Sequence, residues 1–244
     1  RNDLGKWAQD QGYRGILATD PGNIDALHLL GVVAHQGGRQ EQAADLIARS
    51  LALNDGNAAA HSNLGVVLAA QGKPLEATTS FGRALALQPD FADAHFGLGN
   101  ALRDLGRLDA AAASLRQALA LNPDFVQAHC NLGILLEDQG RSEEAIAHYR
   151  KALAVQGDCA PAHVNLGNSL IALGRLEEAE ASLRRSLELQ PNLAHAKFSL
   201  GQLKLLQGDY ASLKNVNQWA LDFMTGKPIE KQYEALAAEV GRTL

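Results

Sequence analysis

The sequence predicts an all-α fold, an α-α superhelix in which antiparallel helix pairs stack as a solenoid. The prediction depends on two series of glycines that share an interval of 34 residues. The first series is Gly31, Gly65, Gly99, Gly133, Gly167 and Gly201, and the second is Gly38, Gly72, Gly106, Gly140, Gly174 and Gly208. A fixed period of this length indicates a repeat array, whose units bury their apolar faces by stacking on one another.

Each repeat unit is predicted to form two antiparallel helices. We number positions within units that begin at residues 24, 58, 92, 126, 160 and 194. Amphipathic helices are indicated by recurring leucine at position 7, alanine at position 20, a large residue at position 24 and a small one at position 27. Proline at position 32 ends the second helix in the units that contain Pro89, Pro123 and Pro191. Each helix is then roughly 13 residues long.

The two glycine positions have different physical roles in this prediction. A glycine inside a helix costs about 1 kcal/mol relative to alanine, so the series at position 8 indicates a partner helix too close for any side chain. The series at position 15 falls where the first helix ends, and it predicts a left-handed cap before a short turn.

Composition and charge exclude several classes of function. The chain has 244 residues, a formal net charge of −5 and no basic block, which argues against nucleic acid and membrane surfaces as partners. The longest apolar runs are about seven residues, far too short to span a membrane. Two cysteines, Cys130 and Cys159, indicate reduced thiols, so we expect a cytoplasmic protein. Because Met224 is the only methionine and no signal peptide is found, we expect the chain to be a fragment.

The repeat register divides the chain into three segments. Residues 1–23 are expected to hold an irregular leader as far as Trp7 and then, over residues 8–20, the second helix of a partial repeat. Residues 24–208 are predicted to form five full units plus the first helix of a sixth. Residues 209–244 lose the register and are predicted to be a divergent helical pair, which caps the stack or links it to a further domain.

The fourth unit carries the features of a known family. It reads Ala128-His129-Cys130-Asn131-Leu132-Gly133 and continues with Gly140, Glu144-Ala145, Tyr149 and Ala152. This pattern resembles the tetratricopeptide repeat, and the resemblance covers residues 24–208. It is nearest to the repeat region of O-linked N-acetylglucosamine transferases and to bacterial proteins of this family. The resemblance implies stacked helical hairpins and a protein-binding function.

Position 4 departs from the family, which favours Trp or Tyr there. This chain has Leu27 and then His61, His95, His129 and His163. Equivalent side chains on neighbouring helices lie about 8–10 Å apart, whereas the ligands of a zinc ion lie within about 2.1 Å of it. We therefore expect packing residues at this position, and no metal or cofactor.

No enzyme signature is found in the sequence. The Gly97-x-Gly99 pair lacks the third glycine of a dinucleotide-binding loop, and Gly72-Lys73 is followed by proline, unlike a phosphate-binding loop. Acidic pairs such as Glu143-Glu144 stand at the start of second helices, where they complement the helix dipole. We expect that the chain is not an enzyme.

The resemblance implies that first helices line a concave groove, with positions 2, 5, 6, 9, 12 and 13 facing a ligand. Asparagine recurs at position 6 and position 9 of this surface, in Asn63, Asn131, Asn165, Asn100 and Asn168. Each asparagine offers a donor and an acceptor, so the row can pair with the backbone of an extended peptide. It is similar to the asparagine ladder of O-linked N-acetylglucosamine transferases, although Gly97 interrupts it. The alternative is that these asparagines are repeat consensus on a solvated face.

The other groove positions describe the expected ligand. Apolar contacts are expected from Phe96, Ile134, Val164 and Phe198. An acidic patch beside one arginine is expected from Arg103, Asp104, Glu137 and Asp138. Positions 2, 5 and 6 of the first five units carry no Lys or Arg, which argues against a clamp for a terminal carboxylate. We expect a protein or peptide ligand that is extended, neutral to basic and partly apolar.

These observations together predict a protein-protein interaction module that binds an extended peptide or a partner protein in the groove. One alternative is the substrate-recruiting arm of a larger transferase, such as a glycosyltransferase, whose catalytic domain lies outside this sequence. A second alternative is a self-assembling scaffold whose end faces stack between molecules.

Overall fold

A computed structural model describes the backbone of residues 2–208 and the side chains from residue 10 onward. Within these residues it contains twelve α-helices and no strands, which confirms the predicted all-α fold class. The helices are α1 (Asn2–Thr19), α2 (Ile24–Gln36), α3 (Gln40–Leu53), α4 (Ala58–Ala70), α5 (Pro74–Leu87), α6 (Ala92–Asp104), α7 (Leu108–Leu121), α8 (Val126–Asp138), α9 (Ser142–Val155), α10 (Ala160–Ala172), α11 (Leu176–Leu189) and α12 (Ala194–Leu206).

The described part of the chain divides into two compact units, an N-terminal one that ends at Leu135 and a C-terminal one that begins at Leu136, with the boundary inside α8. In the N-terminal unit, α2 packs on α3, α4 on α5 and α6 on α7, and α1, α3 and α5 each also contact the first helix that follows them. In the C-terminal unit, α10 packs on both α9 and α11, and α11 packs on α12. First helices also contact each other directly, α2 with α4 and α4 with α6 in one unit, and α10 with α12 in the other.

The glycines at position 8 lie where the two helices of a repeat approach most closely. A Cβ on Gly31 would lie 2.6 Å from Cγ1 of Ile47, and a Cβ on Gly99 would lie 2.8 Å from Cγ of Leu115. These distances are too short for carbon atoms in contact, since such atoms normally stay about 3.5–4.0 Å apart. The predicted reason for the first glycine series is confirmed at Gly31, Gly65, Gly99 and Gly167.

The glycines at position 15 end the first helices in the predicted left-handed conformation, with φ between 70° and 75° in all six. Gly38 illustrates the cap. Its own N–H donates to the His35 carbonyl, and the N–H of Arg39 donates to the Ala34 carbonyl at 2.9 Å. These two hydrogen bonds satisfy carbonyl groups that the end of a helix otherwise leaves without partners.

Small buried residues let the helices pack tightly in both units. The alanines at position 20 are fully buried in all five repeats where the structure describes them, Ala43, Ala77, Ala111, Ala145 and Ala179. Position 27 is buried in the same repeats, and the serines there are satisfied locally. Ser50 donates to the Ile24 carbonyl at 2.9 Å, and Ser186 donates to the Leu183 carbonyl at 2.7 Å.

The first helix begins at Asn2, whereas the sequence predicts an irregular leader as far as Trp7. The repeat pattern does not specify these residues, but extending a helix that has already formed is favourable without any register. Tyr13 packs against the core of the first repeat. Buried Asp10 accepts hydrogen bonds from Arg14 at 2.7 Å and from Arg39 at 3.1 Å. Burial alone would raise the pKa of Asp10, but the two guanidinium groups outweigh it and lower the pKa.

Assignment of α1 to a partial repeat stays a prediction, as does the division at residues 23 and 208. The helical pair predicted over residues 209–244 lies outside the described residues.

A buried ion pair joins α11 to α12 in the C-terminal unit. Lys204 stands at position 11, where the preceding repeats carry Ala or Leu, and it is buried. Its Nζ donates to Oε2 of Glu180 at 2.8 Å, and Arg184 donates to Oε1 of the same carboxylate. The hydrogen bond from Lys204, assisted by Arg184 and Gln207, lowers the pKa of Glu180 to about 2 despite partial burial.

Acid should loosen the packing of α12 on α11 through protonation of Glu180. Because the pKa of this carboxylate in the folded state is below its usual value of 4.5, its contribution is complete above that pH and is lost as the pH falls toward about 2. We expect a loss on the order of 1–3 kcal/mol over this range, measured by hydrogen exchange of α12 amides.

Glu180→Gln should remove this loss and leave α12 less protected at neutral pH. Glu188→Gln is the matched control, because the pair of Glu188 with Arg185 is exposed on both sides. An equal acid response in wild type and Glu180→Gln would contradict the assignment.

Candidate functional site

The candidate site is the surface formed by positions 2, 5, 6, 9, 12 and 13 of the first helices, here called the first-helix face. The face has a part in each of the two units. Large apolar side chains on this face are open to solvent, with Leu29 40%, Val66 41% and Phe198 40% exposed. Exposed side chains of this size on adjacent helices provide apolar contact area for a ligand.

The asparagines of the N-terminal unit are paired with neighbouring side chains. Nδ2 of Asn131 donates to Oδ1 of Asn100 at 2.7 Å, which joins α8 to α6. Nδ2 of Asn63 lies 2.8 Å from Nε2 of His28, which joins α4 to α2. Burial lowers the pKa of His28, although Asp25 opposes the shift, so the ring is neutral at pH 7 and Nε2 accepts the hydrogen bond. Each of these amides therefore gives one of its hydrogen-bonding groups to a side chain on a neighbouring first helix, and we call an amide bonded in this way closed.

Gly97, which interrupts the predicted row, is explained by the side chain packed against it. Phe81 in α5 is fully buried, and a Cβ on Gly97 would overlap Cε1 and Cζ of its ring. The same ring would lie 2.8 Å from a Cβ on Gly65. Phe81 therefore fills the space between α4 and α6, and this leaves no room for an asparagine at position 97.

The other predicted residues of the N-terminal unit have mixed environments. The rings of Phe96 and Phe125 pack with centroids 4.7 Å apart, so half-buried Phe96 stabilises the start of α8. Arg103 lies 3.6 Å from the carboxylate of exposed Asp104. Ile134 is half-buried on α8. Phe125 was not predicted for this surface, because it stands at position 34, outside the first helix.

Glu137 holds helices together in the C-terminal unit. Its carboxylate accepts hydrogen bonds from Oη of Tyr149 at 2.9 Å and from Oγ of Ser169. These bonds join α8, α9 and α10, so Glu137 differs from the open acidic group that the sequence predicts. Of the predicted acidic patch, exposed Asp138 is open to solvent in this unit. The sequence contains one indication that Glu137 is bonded. Tyr149 places a hydroxyl at a position where the other repeats carry Ile, Phe or Leu.

A cleft of about 570 Å³ lies between α10 and α12. All of its lining residues except one occupy positions 2, 5, 6, 9 or 12, and they are Pro161, Val164, Asn165, Asn168, Ile171, Leu193, His195, Phe198, Ser199 and Gln202. The cleft therefore brings together four residues that the sequence predicts for the site, Val164, Asn165, Asn168 and Phe198. Its walls are apolar, and side-chain amides stand along them.

The recurring histidines have a structural role that the sequence did not reveal. Each Nε2 lies 3.0–3.1 Å from the backbone carbonyl of position 32 in the preceding repeat, in the pairs His61–Asp55, His95–Pro89, His129–Pro123 and His163–Gly157. Since a carbonyl only accepts, Nε2 carries the proton, and each histidine holds the turn that precedes its own helix. Among the described residues, no cluster of His, Cys, Asp or Glu is suited to hold a metal ion.

The stacked helix pairs and the surface along the first helices define the class of helical-repeat proteins that bind other proteins. Tetratricopeptide repeat models match residues 25–49, 41–90, 62–117 and 136–203, and a model described as TPR repeat matches residues 99–140. Together the matches extend from residue 25 to residue 203, well over half of the chain. The chain belongs to the tetratricopeptide repeat family and is a protein-binding repeat module.

Several solved structures share the fold. PilF of Pseudomonas aeruginosa is 21% identical with a TM-score of 0.76, and the match covers 88% of this chain and 97% of that one. PilW, a type IV pilus biogenesis factor, is 22% identical with a TM-score of 0.76, covering 87% and 98%. YrrB, a TPR protein with an unusual peptide-binding site, is 21% identical with a TM-score of 0.62, covering 77% and 97%. At these identities the likeness shows the fold alone. No curated protein sequence matches significantly.

Gly97→Ala should destabilise the chain by about 1 to 3 kcal/mol, because the added methyl group overlaps the ring of buried Phe81. Gly82→Ala is the matched control. Gly82 lies in α5 with nothing within 4 Å of an added Cβ, so this change should stabilise the helix by about 0.5–1 kcal/mol. Urea unfolding of the full chain measures both effects.

Phe81→Leu should rescue Gly97→Ala, because the smaller side chain makes room for the methyl group. The combined loss should be clearly smaller than the sum of the two single losses. Strictly additive losses would show that overlap with Phe81 is not the reason for glycine at this position.

Proposed function

We propose that this chain binds an extended peptide, or an extended segment of a partner protein, on its first-helix face. The observation that carries the proposal is the cleft between α10 and α12. An extended ligand requires apolar surface for its side chains and donors and acceptors for its backbone, and the cleft supplies both. The peptide-binding site described for YrrB, which shares the fold, supports the proposal.

The charges on this face favour a neutral to basic ligand. In the N-terminal unit, Asp25, Asp93 and Asp104 are exposed on the face, and Arg103 lies beside Asp104. In the C-terminal unit, exposed Asp138 adds a negative charge. A basic segment would be attracted by these carboxylates, and an acidic one would be repelled.

The chain is proposed to act through binding and not as an enzyme. Cys130 and Cys159 form no disulfide within the described residues, which is consistent with the cytoplasmic location that the sequence predicts. Crossing a membrane would require a longer and more apolar helix than any among the described residues. Recruitment of substrates for a transferase and self-association through end faces are the alternatives, and no specific contact in the described residues favours either.

Selection of a random linear peptide library, displayed on phage, against the immobilised full chain tests the proposal. We expect the retained peptides to be extended in character, partly apolar, and neutral or basic on average. Retention of mainly acidic peptides would contradict the charge assignment, and retention of no peptide would overturn the function.

Exposed carboxylates on the face should contribute modestly to the affinity for basic peptides. Asp93→Asn and Asp104→Asn should each weaken a selected basic peptide about two- to threefold at low salt, with little effect in high salt. Asp109→Asn in α7 lies off the face and is the control. Binding that is equally weakened by all three changes would argue against recognition on this face.

A further inference from the structure

The side-chain amides differ between the two units. In the N-terminal unit, Asn100 and Asn131 are bonded to each other and Asn63 is bonded to His28. In the cleft between α10 and α12, the side-chain amides of Asn165, Asn168 and Gln202 make no hydrogen bond with any described residue. A sequence row of equivalent asparagines therefore divides into closed amides in one unit and open amides in the other.

This difference decides which amides can gain from a ligand. A closed amide has already given one of its hydrogen-bonding groups to a neighbour and is held in one orientation by it, so fewer of its groups are available to a peptide. An open amide exchanges only water, and each such hydrogen bond is worth roughly two- to tenfold in binding. The open amides of α10 and α12 are therefore better placed to bind a peptide backbone than the closed amides of α4, α6 and α8.

The walls of the cleft select the kind of side chain that enters it. Buried Val164, half-buried Ile171 and the exposed ring of Phe198 supply an apolar surface. No Asp, Glu, Lys or Arg lines the cleft, and His195 is the titratable residue there. A charged side chain would lose water in the cleft without gaining a partner of opposite charge, which is costly.

We propose that the cleft between α10 and α12 is the specificity site of this chain. It holds an uncharged apolar side chain, aliphatic or aromatic, of an extended peptide, while Asn165, Asn168 and Gln202 bond the peptide backbone on either side. Asn165 and Asn168 stand three residues apart and so share one face of α10, opposite Gln202 on α12. The inference rests on the proposed peptide-binding function and adds the place and the class of residue that is recognised.

The test uses peptides selected from the phage library, synthesised with a fluorescent label, and the full chain in solution. Asn168→Ala should weaken binding about fivefold and Phe198→Ala about tenfold. Asn192→Ala, which removes an exposed amide in the turn before α12, is the matched control and should leave the affinity unchanged. Asn131→Ala should weaken binding less than Asn168→Ala, because the amide of Asn131 is already bonded. Circular dichroism establishes that each variant is folded.

A double-mutant cycle places the peptide side chain in the cleft. Replacing the apolar residue of the peptide by alanine should weaken binding to wild type strongly and to Phe198→Ala much less, since the contact is already lost. Replacing the same residue by aspartate should abolish binding. The affinity of Asn168→Ala for the peptide is an independent measurement. Asn168 is exposed, so removing its side-chain amide leaves the fold intact.

The outcomes separate this inference from the proposed function. If selected peptides bind and Asn131→Ala weakens them more than Asn168→Ala, the cleft is not the specificity site, although peptide binding stands. If selected peptides require a charged residue in place of the apolar one, the assigned class is wrong. If the full chain retains no peptide, the proposed function and this inference both fall.

Discussion

The contact between position 8 of a first helix and position 24 of its partner is the constraint on which the rest of the structure depends. At Gly31, Gly99 and Gly167 the absent side chain lets a large residue of the second helix approach the first-helix backbone. This close approach fixes how each first helix is rotated. Positions 7 and 20 then face the partner, and positions 2, 5, 6 and 9 are left on the opposite side. The candidate binding face is therefore a consequence of packing between helices, and it needs no further device to form.

Phe81 shows that the same constraint also acts on the candidate site. Its ring reaches past Gly65 in its own repeat to Gly97 in the next. Packing in the core therefore determines which residue can stand at position 6 of that repeat, on the candidate site. Gly97 accordingly carries no information about a ligand, although it stands in the row of asparagines. Glu137 shows the reverse case, because a residue on the predicted face stabilises the core through Tyr149 and Ser169. A position on the first-helix face can serve packing or recognition, and only the contacts that its side chain makes in the structure distinguish the two roles.

The sequence predicts the fold closely because the relevant interactions are local or repeated at a fixed interval. The glycine caps, the two-helix units and the buried small positions follow from spacing alone, and the structure confirms them. The partners of individual polar side chains do not follow in this way. The pairs Asn63–His28 and Asn100–Asn131 join residues 35 and 31 positions apart, and the aligned repeats differ at one member of each pair. The bonds from the recurring histidines to turn carbonyls were missed for a related reason, since their acceptor is backbone and leaves no trace in the sequence.

Duplication of a repeat explains why asparagine recurs at position 6, but it does not explain which asparagines are closed. Asn131 is closed because Asn100 stands 31 residues before it. In the same register Val32 precedes Asn63, and there His28 takes over as partner. The residue 31 positions before Asn165 in the sequence is Ile134, whose side chain has no hydrogen-bonding group. Divergence between repeats, more than the asparagine they share, decides which of these amides have a side-chain partner.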